Sequence, residues 1–315
     1  MKSLSIVIPV YNGANSIGQL VPELIASFSQ LFKLEIVLIN DCSPDDSENR
    51  CIQLFEKYPR WVKFYSLAKN VGEHNAVMAG LNKCSGDKVV IMDDDFQNPT
   101  ESVIQLVTYA STTDFDVVYS YYDSKKHSLF RNLGSRFNNA VASWMLKKPT
   151  NLYLSSFKVL DRFLVEEIIK YNHPFPYIDG LILRTTSNIG KVKVVHNARQ
   201  NGESGYTLSK LISLWLNMFT NFSILPLRVA MITGLIIAMC GFIYGGITIG
   251  EKLINPNLPV GYASTIASIT LFSGVQLMAI GMVGEYLGRL FLCNNKHPQF
   301  SIRKSYTQED PNITH

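Results

Sequence analysis

Asp93, Asp94 and Asp95 are three consecutive carboxylates that directly follow a run of apolar, mostly β-branched residues. Such charges repel one another at the end of a buried strand, and a bound cation is the natural compensation. Alternate side chains of an extended chain point the same way, so Asp93 and Asp95 can converge on one ion while Asp94 faces elsewhere. Gln97 offers a further oxygen two residues on, and such hard ligands favour Mg²⁺ or Mn²⁺ bridging a diphosphate. The alternative is an acidic turn that caps the following helix.

Polar residues also follow the other apolar runs in the first half of the chain. Tyr11 and Asn12 follow the first run, and Asn40 and Asp41 follow the second. In an α/β sheet the ligand lies beyond the carboxyl ends of the parallel strands, so these residues and the three carboxylates are expected at one edge. Taken alone, Asp41 is equally a turn or helix-capping residue.

Alternating apolar runs and helical stripes predict a doubly wound α/β domain around these residues. The stripe from Ile17 to Phe32 has the period of an amphipathic helix. Strands are predicted at 4–10, 35–39, 62–67, 88–92 and 116–120, with further helices at 47–57, 75–83 and 100–110. Beyond 120 the pattern loosens, and the predicted elements are a helix at 129–147, a strand at 153–160, a helix at 162–170 and a strand at 193–196.

Charge is distributed unevenly along the chain, although the totals are ordinary. Hydrophobic residues make up 47% of the chain, and the net charge of +4 is a mild excess that does not indicate a nucleic-acid partner. Charged residues are absent from 229–250 and again from 253–284. As a helix, the first stretch is about 33 Å long, enough to cross a hydrocarbon core of about 30 Å. Two transmembrane helices are therefore predicted, with two buried core helices as the alternative.

Basic residues flank this pair of stretches and define its predicted orientation. The flanking positions hold Lys210, Arg228, Arg289, Lys296, Arg303 and Lys304. By the positive-inside bias, both termini lie in the cytoplasm and the protein is a multi-pass protein of the cell inner (plasma) membrane. An amphipathic segment at 208–222 is expected along the membrane surface. The predicted units are a cytoplasmic catalytic domain at 1–207, a juxtamembrane helix at 208–224, a transmembrane hairpin at 225–292 and a cytoplasmic tail at 293–315.

Several motifs resemble glycosyltransferase family 2. They include SIVIPVYN at 5–12, the turn NDCS at 40–43 and the loop and helix NVGEHNAVMAGL at 70–81. Four later motifs are similar to those of the polyisoprenyl-phosphate glycosyltransferases within that family, namely QNP at 97–99, SSFKVLDR at 155–162, ARQNGESGYTLSKL at 198–211 and GEYLGRLF at 284–291. The resemblance covers nearly the whole chain. It implies a GT-A type catalytic domain that transfers a sugar from a nucleotide sugar to a polyisoprenyl phosphate lipid.

The resemblance also implies roles for individual residues. The predicted nucleotide-binding residues are Pro9, Tyr11, Asn12, Asp41, Asn70, His74, Asp93 and Asp94. The predicted metal ligands are Asp93, Asp95 and Gln97, and the predicted catalytic residues are Asp95, Lys158 and Arg199. The acceptor phosphate is expected at Arg131, Lys158, Arg199 and Ser204, and Asp179 is a candidate for a sugar hydroxyl. As isolated residues, Lys158 and Arg199 are equally surface charges.

The chemistry of this transfer does not require a general base. A phosphate monoester has a second pKa of about 6, so the acceptor arrives already ionised and attacks in line, which inverts the anomeric carbon. The protein must neutralise the leaving diphosphate and position the acceptor. Gly205 is a departure from the family, which carries lysine at that position, and Gly13 replaces its usual glutamate.

Three functional hypotheses follow from the sequence. The first is transfer from a UDP-sugar to undecaprenyl phosphate, and the second is transfer from a GDP-sugar. The third is a non-catalytic membrane scaffold of the same fold, although Asp93, Asp95 and Gln97 are all present. The sequence leaves the oligomeric state open, a homo-oligomer included, and its five cysteines have no metal-binding spacing.

Overall fold

The architecture is that of a computed structural model, which describes residues 3–122, 152–195, 225–254, 261–295 and 298–308. Contacts within the chain define two compact units. The first comprises Met1–Gly205 together with Lys296–His315, and the second comprises Tyr206–Asn295. The predicted helices at 129–147 and 208–222 lie outside the described residues.

The first unit is built on one mixed sheet of eight strands in the order β7-β5-β6-β4-β1-β2-β3-β8. The strands are β1 Ser3–Val10, β2 Lys33–Asn40, β3 Val62–Leu67, β4 Lys88–Ile91, β5 Val117–Tyr121, β6 Lys158–Asp161, β7 Ile189–Lys193 and β8 Ile302–Tyr306. Its helices are α1 Ile17–Phe28, α2 Ser47–Lys57, α3 Glu73–Leu81, α4 Thr100–Thr112, α5 Arg162–Ile168 and α6 Ile178–Thr185. The predicted alternation over residues 4–120 is confirmed.

The central strands form because their residues are apolar and β-branched on both faces. In β1, Leu4, Ile6, Val7 and Ile8 have no exposed surface, as expected of a strand covered by helices on both sides. This strand pairs in parallel with β2 on one side and with β4 on the other. The carboxyl ends of β1, β2 and β4 are therefore neighbours, and the loops that follow them share one edge of the sheet.

The two ends of the sheet depart from the predicted parallel pattern. Strand β6 is antiparallel to both β4 and β5, and it begins at residue 158 rather than 153. Strand β7 covers 189–193 instead of the predicted 193–196. Helix α6 was not predicted at all.

Strand β8 follows the second unit in sequence and completes the sheet of the first. It pairs antiparallel with β3, and the Tyr306 ring stacks on Phe64 with 5.6 Å between ring centroids. Just before the strand, Ala68 N donates to Ser301 O at 2.8 Å, and the Gln299 side chain donates to the carbonyls of Tyr171 and His173. The segment predicted as a tail at 293–315 thus contains a strand at 302–306 that belongs to the sheet of the first unit.

A chain that ends at residue 297 is expected to have a less stable catalytic unit. Loss of β8 exposes the edge of β3 and the Phe64 ring, which we expect to cost about 2 kcal/mol and to lower the Tm by roughly 4–8 °C. Thermal unfolding monitored by tryptophan fluorescence measures the shift. A chain ending at Gln308 is the matched control, and an equal Tm for the two truncated chains would contradict a stabilising role for the strand.

The second unit contains two long helices, α7 Leu225–Ile254 and α8 Tyr262–Asn294, of 30 and 33 residues. The two helices contact each other. Their described side chains include many exposed apolar groups, among them Met231, Leu235, Met239, Ile243, Leu277, Ile280 and Leu287. Over the part of the chain that the structure describes, no helix combines the length and hydropathy that identify a membrane span.

Candidate active site

The loops after β1, β2 and β4 share an unusual backbone conformation. In the described ranges, three residues other than glycine have a left-handed φ, and each lies in one of these loops: Asn12 at 58°, Cys42 at 52° and Phe96 at 58°. This conformation costs about 1–2 kcal/mol for residues that carry a Cβ. Strain of this kind persists where the surrounding structure enforces it, which is typical of ligand-binding sites.

The three carboxylates after β4 have different neighbours. Ser156 Oγ donates to Asp93 Oδ2 at 2.8 Å, and the backbone N–H of Gln97 donates to Asp95 Oδ1 at 3.2 Å. Asp94 instead packs against Gly13, where a Cβ would lie 1.8 Å from Asp94 Oδ2. A larger residue at position 13 therefore requires Asp94 to move, which gives a physical reason for the glycine where the family usually has glutamate.

Asp93 and Asp95 fit a divalent ion that is also held by a substrate. Among the described residues, no three acidic, histidine or cysteine side chains converge on a self-contained metal site. Mg²⁺ commonly binds through one or two carboxylates and the phosphates of its substrate, so two such side chains suffice as the protein's share. Ser156 and the Gln97 N–H orient these carboxylates, as outer partners of metal ligands commonly do.

Asp41 organises the loop that opens helix α3. Its two carboxylate oxygens accept the N–H groups of Val71 and Gly72 at 2.8 and 2.9 Å, and Asn70 Nδ2 donates to the Asp41 carbonyl at 3.3 Å. The residue is 3% exposed, and burial raises the pKa of its carboxyl despite the two amides. If Asp41 contacts a nucleotide base as predicted, it must use carboxylate oxygens that already accept the bonds from Val71 and Gly72. Tyr11, at the same edge of the sheet, is half exposed.

A second network joins the end of β2 to strand β8. Asn40 Nδ2 donates to Ser66 Oγ at 3.1 Å, and Ser66 Oγ donates to Glu48 Oε2 at 2.9 Å. Glu48 in turn forms an ion pair with Lys304 at 2.5 Å, and this contact helps to hold the pKa of the Glu48 carboxyl below its usual value. Asn40 Oδ1 accepts the N–H of Ser43, so the network reaches the loop that contains Cys42.

Lys158, Asp179 and Tyr119 form a buried polar cluster. Lys158 is 3% exposed, its ammonium forms an ion pair with Asp179 Oδ1, and it lies 5.1 Å from the centroid of the Tyr119 ring. Tyr119 OH donates to the same Asp179 oxygen at 2.8 Å, and burial together with this carboxylate raises the pKa of the phenol well above its usual value. Lys158 and Asp179, predicted for separate roles with phosphate and sugar, are thus partners of each other.

The first turn of α3 adds polar groups next to this cluster. Burial lowers the pKa of His74 to about 4, so the imidazole is neutral, and its ring meets Tyr177 edge-on at 5.1 Å. Glu73 is exposed in part, yet the surrounding protein desolvates its carboxyl and, with the nearby Asp93 charge, raises its pKa to about 7. In the described part of the chain, His74 Nδ1 and Asn75 Oδ1 are buried and have no hydrogen-bond partner.

The structure brings together most of the predicted site residues it describes and adds others. Pro9, Tyr11, Asn12, Asp41, Asn70, His74, Asp93, Asp94, Asp95 and Gln97 all lie in β1, in the loops after the strands or in the first turn of α3. Arg131, Arg199 and Ser204 lie outside the described residues. Five further residues at this edge were not predicted from the sequence: Ser156, Tyr119, Glu73, Asn75 and Tyr177. The first turn of α3 could have been recognised, because it follows the loop at the predicted carboxyl end of β3.

Replacing Cys42 with glycine is expected to stabilise the protein. Glycine adopts the left-handed backbone without the Cβ penalty, although it loses more chain entropy on folding, so the net gain is about 0.5–1 kcal/mol. The Tm should rise by roughly 1–4 °C. Cys42→Ser keeps the Cβ and is the control, and an equal shift in both variants would mean that the thiol, rather than the backbone, limits stability.

The sheet, and the acidic and polar residues at the carboxyl ends of its parallel strands, define a nucleotide-sugar-binding domain of the GT-A type. The model of "Glycosyl transferase family 2" matches residues 5–169, and the model of "GtrB C-terminal hairpin" matches residues 225–290. The chain belongs to glycosyltransferase family 2 and is a glycosyltransferase.

Relatives match along nearly the full chain. The undecaprenyl-phosphate 4-deoxy-4-formamido-L-arabinose transferase of Serratia proteamaculans is 31% identical over 99% of this chain and 96% of its own length. The protein of the same name from Yersinia enterocolitica is 31% identical over 96% of this chain and 94% of its own length.

A solved structure confirms the fold. Glucosyl-3-phosphoglycerate synthase from Mycobacterium tuberculosis, in complex with Mn²⁺, UDP and phosphoglyceric acid, superposes with a TM-score of 0.50. It is 21% identical, and the match covers 68% of this chain and 74% of that protein. At this identity the likeness concerns the fold alone.

Proposed function

We propose that this glycosyltransferase moves a sugar, with inversion, from a UDP-sugar to undecaprenyl phosphate at the cytoplasmic face of the cell inner membrane. The proposal rests on one combination of features. The chain has carboxylates at the end of a strand and two long helices with exposed apolar side chains. It also aligns over 99% of its length with a protein named undecaprenyl-phosphate 4-deoxy-4-formamido-L-arabinose transferase.

The metal-binding residues are Asp93, Asp95 and Gln97. A Mg²⁺ or Mn²⁺ ion held there would neutralise charge on the leaving diphosphate. Ser156 keeps one oxygen of Asp93 engaged, and the turn at Gln97 does the same for Asp95, so both carboxylates are oriented before the substrate arrives. Asp41, Asn70 and Tyr11 bind the nucleotide at the neighbouring strand ends, where the buried Asp41 fixes the loop at 70–72.

The acceptor phosphate needs cations but no base, because it arrives ionised. Lys158 already balances Asp179 in a buried pair and cannot offer a full positive charge to a second anion. We therefore assign acceptor binding chiefly to Arg131 and Arg199, with Ser204 as a hydrogen-bond donor. In this assignment Lys158 positions Asp179, and Asp179 faces the donor sugar.

The membrane anchor is the pair α7 and α8. Helices of 30 and 33 residues extend about 45 and 50 Å, longer than a hydrocarbon core of about 30 Å. Their exposed apolar side chains are what a lipid environment accommodates and water does not. In sequence, α7 follows the catalytic unit and, after Asn294, the chain returns to the sheet of that unit as β8, which supports placing both outer ends of the hairpin on the same face of the membrane.

The test is a transfer assay with the full-length protein in detergent. Radiolabelled UDP- and GDP-sugars are supplied with Mn²⁺ and undecaprenyl phosphate, and label entering the organic phase is counted. We expect transfer from a UDP-sugar that is abolished by EDTA. Transfer from GDP-sugars alone would replace the donor assignment, and the absence of both transfer and nucleotide binding with every donor would support the scaffold hypothesis.

A further inference from the structure

Two adjacent residues in the first turn of α3 present buried polar atoms that nothing in the described part of the chain satisfies. These atoms are His74 Nδ1 and Asn75 Oδ1. The Asn75 amide nitrogen does have a partner, since it donates to the Val71 carbonyl at 2.8 Å, and this bond fixes the orientation of the side chain. A buried polar atom without a partner costs about 1–3 kcal/mol, so its retention calls for an explanation.

The chemistry of the two atoms restricts what can satisfy them. The Asn75 oxygen only accepts hydrogen bonds, so its partner must be a donor, which excludes an ionised phosphate oxygen. The neutral imidazole nitrogen accepts or donates according to its tautomer. A hydroxyl group both donates and accepts, so it can satisfy both atoms in every protonation pattern.

The surroundings place these atoms among the residues of the proposed substrate site. The His74 ring meets Tyr177, and it lies close enough to Asp179 and Lys158 for their charges to act on it. Glu73, the preceding residue, is similarly influenced by Asp93. The same turn is fixed by the bonds from Val71 and Gly72 to Asp41.

We propose that His74 and Asn75 are specificity-determining residues that bind ring hydroxyl groups of the nucleotide-sugar donor. The inference rests on the proposed function, because it assumes that a nucleotide sugar occupies this edge of the sheet. Two parts of that donor carry ring hydroxyls: the transferred sugar and the ribose of the nucleotide. A lost hydrogen bond to either part weakens binding by about 3- to 10-fold.

The test compares two ligands that differ only in the transferred sugar. His74→Phe and Asn75→Leu remove the unsatisfied atoms, His74→Asn retains a polar group near the position of Nδ1, and Asn82→Leu at the other end of α3 is the control. Full-length proteins with Mn²⁺ are titrated calorimetrically with UDP and with the best donor of the transfer assay, or with UDP-glucose if no donor is transferred. The Tm of each ligand-free protein is measured in parallel.

We expect His74→Phe and Asn75→Leu to bind the nucleotide sugar about 3- to 10-fold more weakly, with His74→Asn recovering part of the loss. Unchanged binding of UDP would assign the hydroxyls to the transferred sugar, and an equal loss for UDP would assign them to ribose. The Tm of ligand-free His74→Phe should not fall, because His74 Nδ1 has no partner in the described part of the chain, whereas a purely structural role would lower it. Asn75→Leu also loses the bond to the Val71 carbonyl, so a lower Tm is expected for that variant in either case.

Unaltered affinities for both ligands in the two apolar variants would overturn the inference and leave the proposed function intact. A wild-type protein that binds neither ligand would instead overturn the proposed function, and this inference with it. Because the titrations need no acceptor, they decide the matter even if sugar transfer depends on a lipid that the assay lacks.

Discussion

Replacing Asp95 with asparagine is expected to lower the rate of sugar transfer by about 100- to 1,000-fold. The variant keeps the size of the side chain and removes one of two carboxylates that orient a divalent ion on the diphosphate. Such electrostatic stabilisation contributes several kcal/mol to a transition state, and each 1.4 kcal/mol corresponds to about a factor of ten. Initial rates at saturating donor and acceptor, over a range of Mn²⁺ concentrations, measure the effect.

The metal concentration separates loss of the ion from loss of the fold. Asp95→Asn should need more Mn²⁺ for half-maximal activity, and its metal-free Tm should not fall, since one of three crowded negative charges is gone. Asp46→Asn, in the loop before α2, is the matched control because that acid is exposed and its described partners are Asn49 and Arg50 of α2. Full turnover of Asp95→Asn at the wild-type metal requirement would refute the metal assignment.

The central strands and the positions of the strand-end acids could be predicted because the signals are local. A continuous run such as residues 4–10 is stable only when covered on both faces, and the polar residues that follow it then fall at the carboxyl edge. The helical stripe of α1 is local in the same sense. Helix α1 ends at Phe28, although the apolar stripe continues to Phe32, because the last residues of the stripe form a turn that leads into β2.

Long-range pairing explains what the sequence did not reveal. Strand β8 is short and polar, and it forms because the edge of β3 is available. The paired residues are far apart in the chain, 235 positions for Leu67 with Ile302 (302 − 67) and 242 positions for Phe64 with Tyr306 (306 − 64). The antiparallel direction of β6 likewise depends on its neighbours, since a four-residue strand carries no directional signal of its own.

The pairing of Lys158 with Asp179 is a further case of this kind. The two residues come from a strand and from a helix that was not predicted, so their types suggested separate partners. The protein brings them together in a buried site, where a lysine and an aspartate are stable only as a pair. The residue types of Lys158 and Asp179 alone therefore could not predict that the two side chains pair with each other.

Replacing Lys158 with methionine is expected to be the most destabilising single change in this region. The variant leaves the Asp179 carboxylate buried with only the Tyr119 hydroxyl as a described partner, and breaking a buried ion pair in this way costs about 3–5 kcal/mol. The Tm of the protein should fall by roughly 6–20 °C. Thermal unfolding followed by circular dichroism measures the change.

The double variant Lys158→Met, Asp179→Leu tests whether the pair, rather than the lysine, is responsible. Removing both charges eliminates the uncompensated carboxylate, so the double variant should be more stable than Lys158→Met by at least about 1 kcal/mol. Lys88→Met is the matched control, because Lys88 pairs with the more exposed Asp161 at 3.0 Å and such a pair contributes no more than about 1 kcal/mol. If the double variant were less stable than Lys158→Met by the full cost of Asp179→Leu, the two side chains would act independently. Lys158 would then be free to bind the acceptor phosphate, as its sequence motif first indicated.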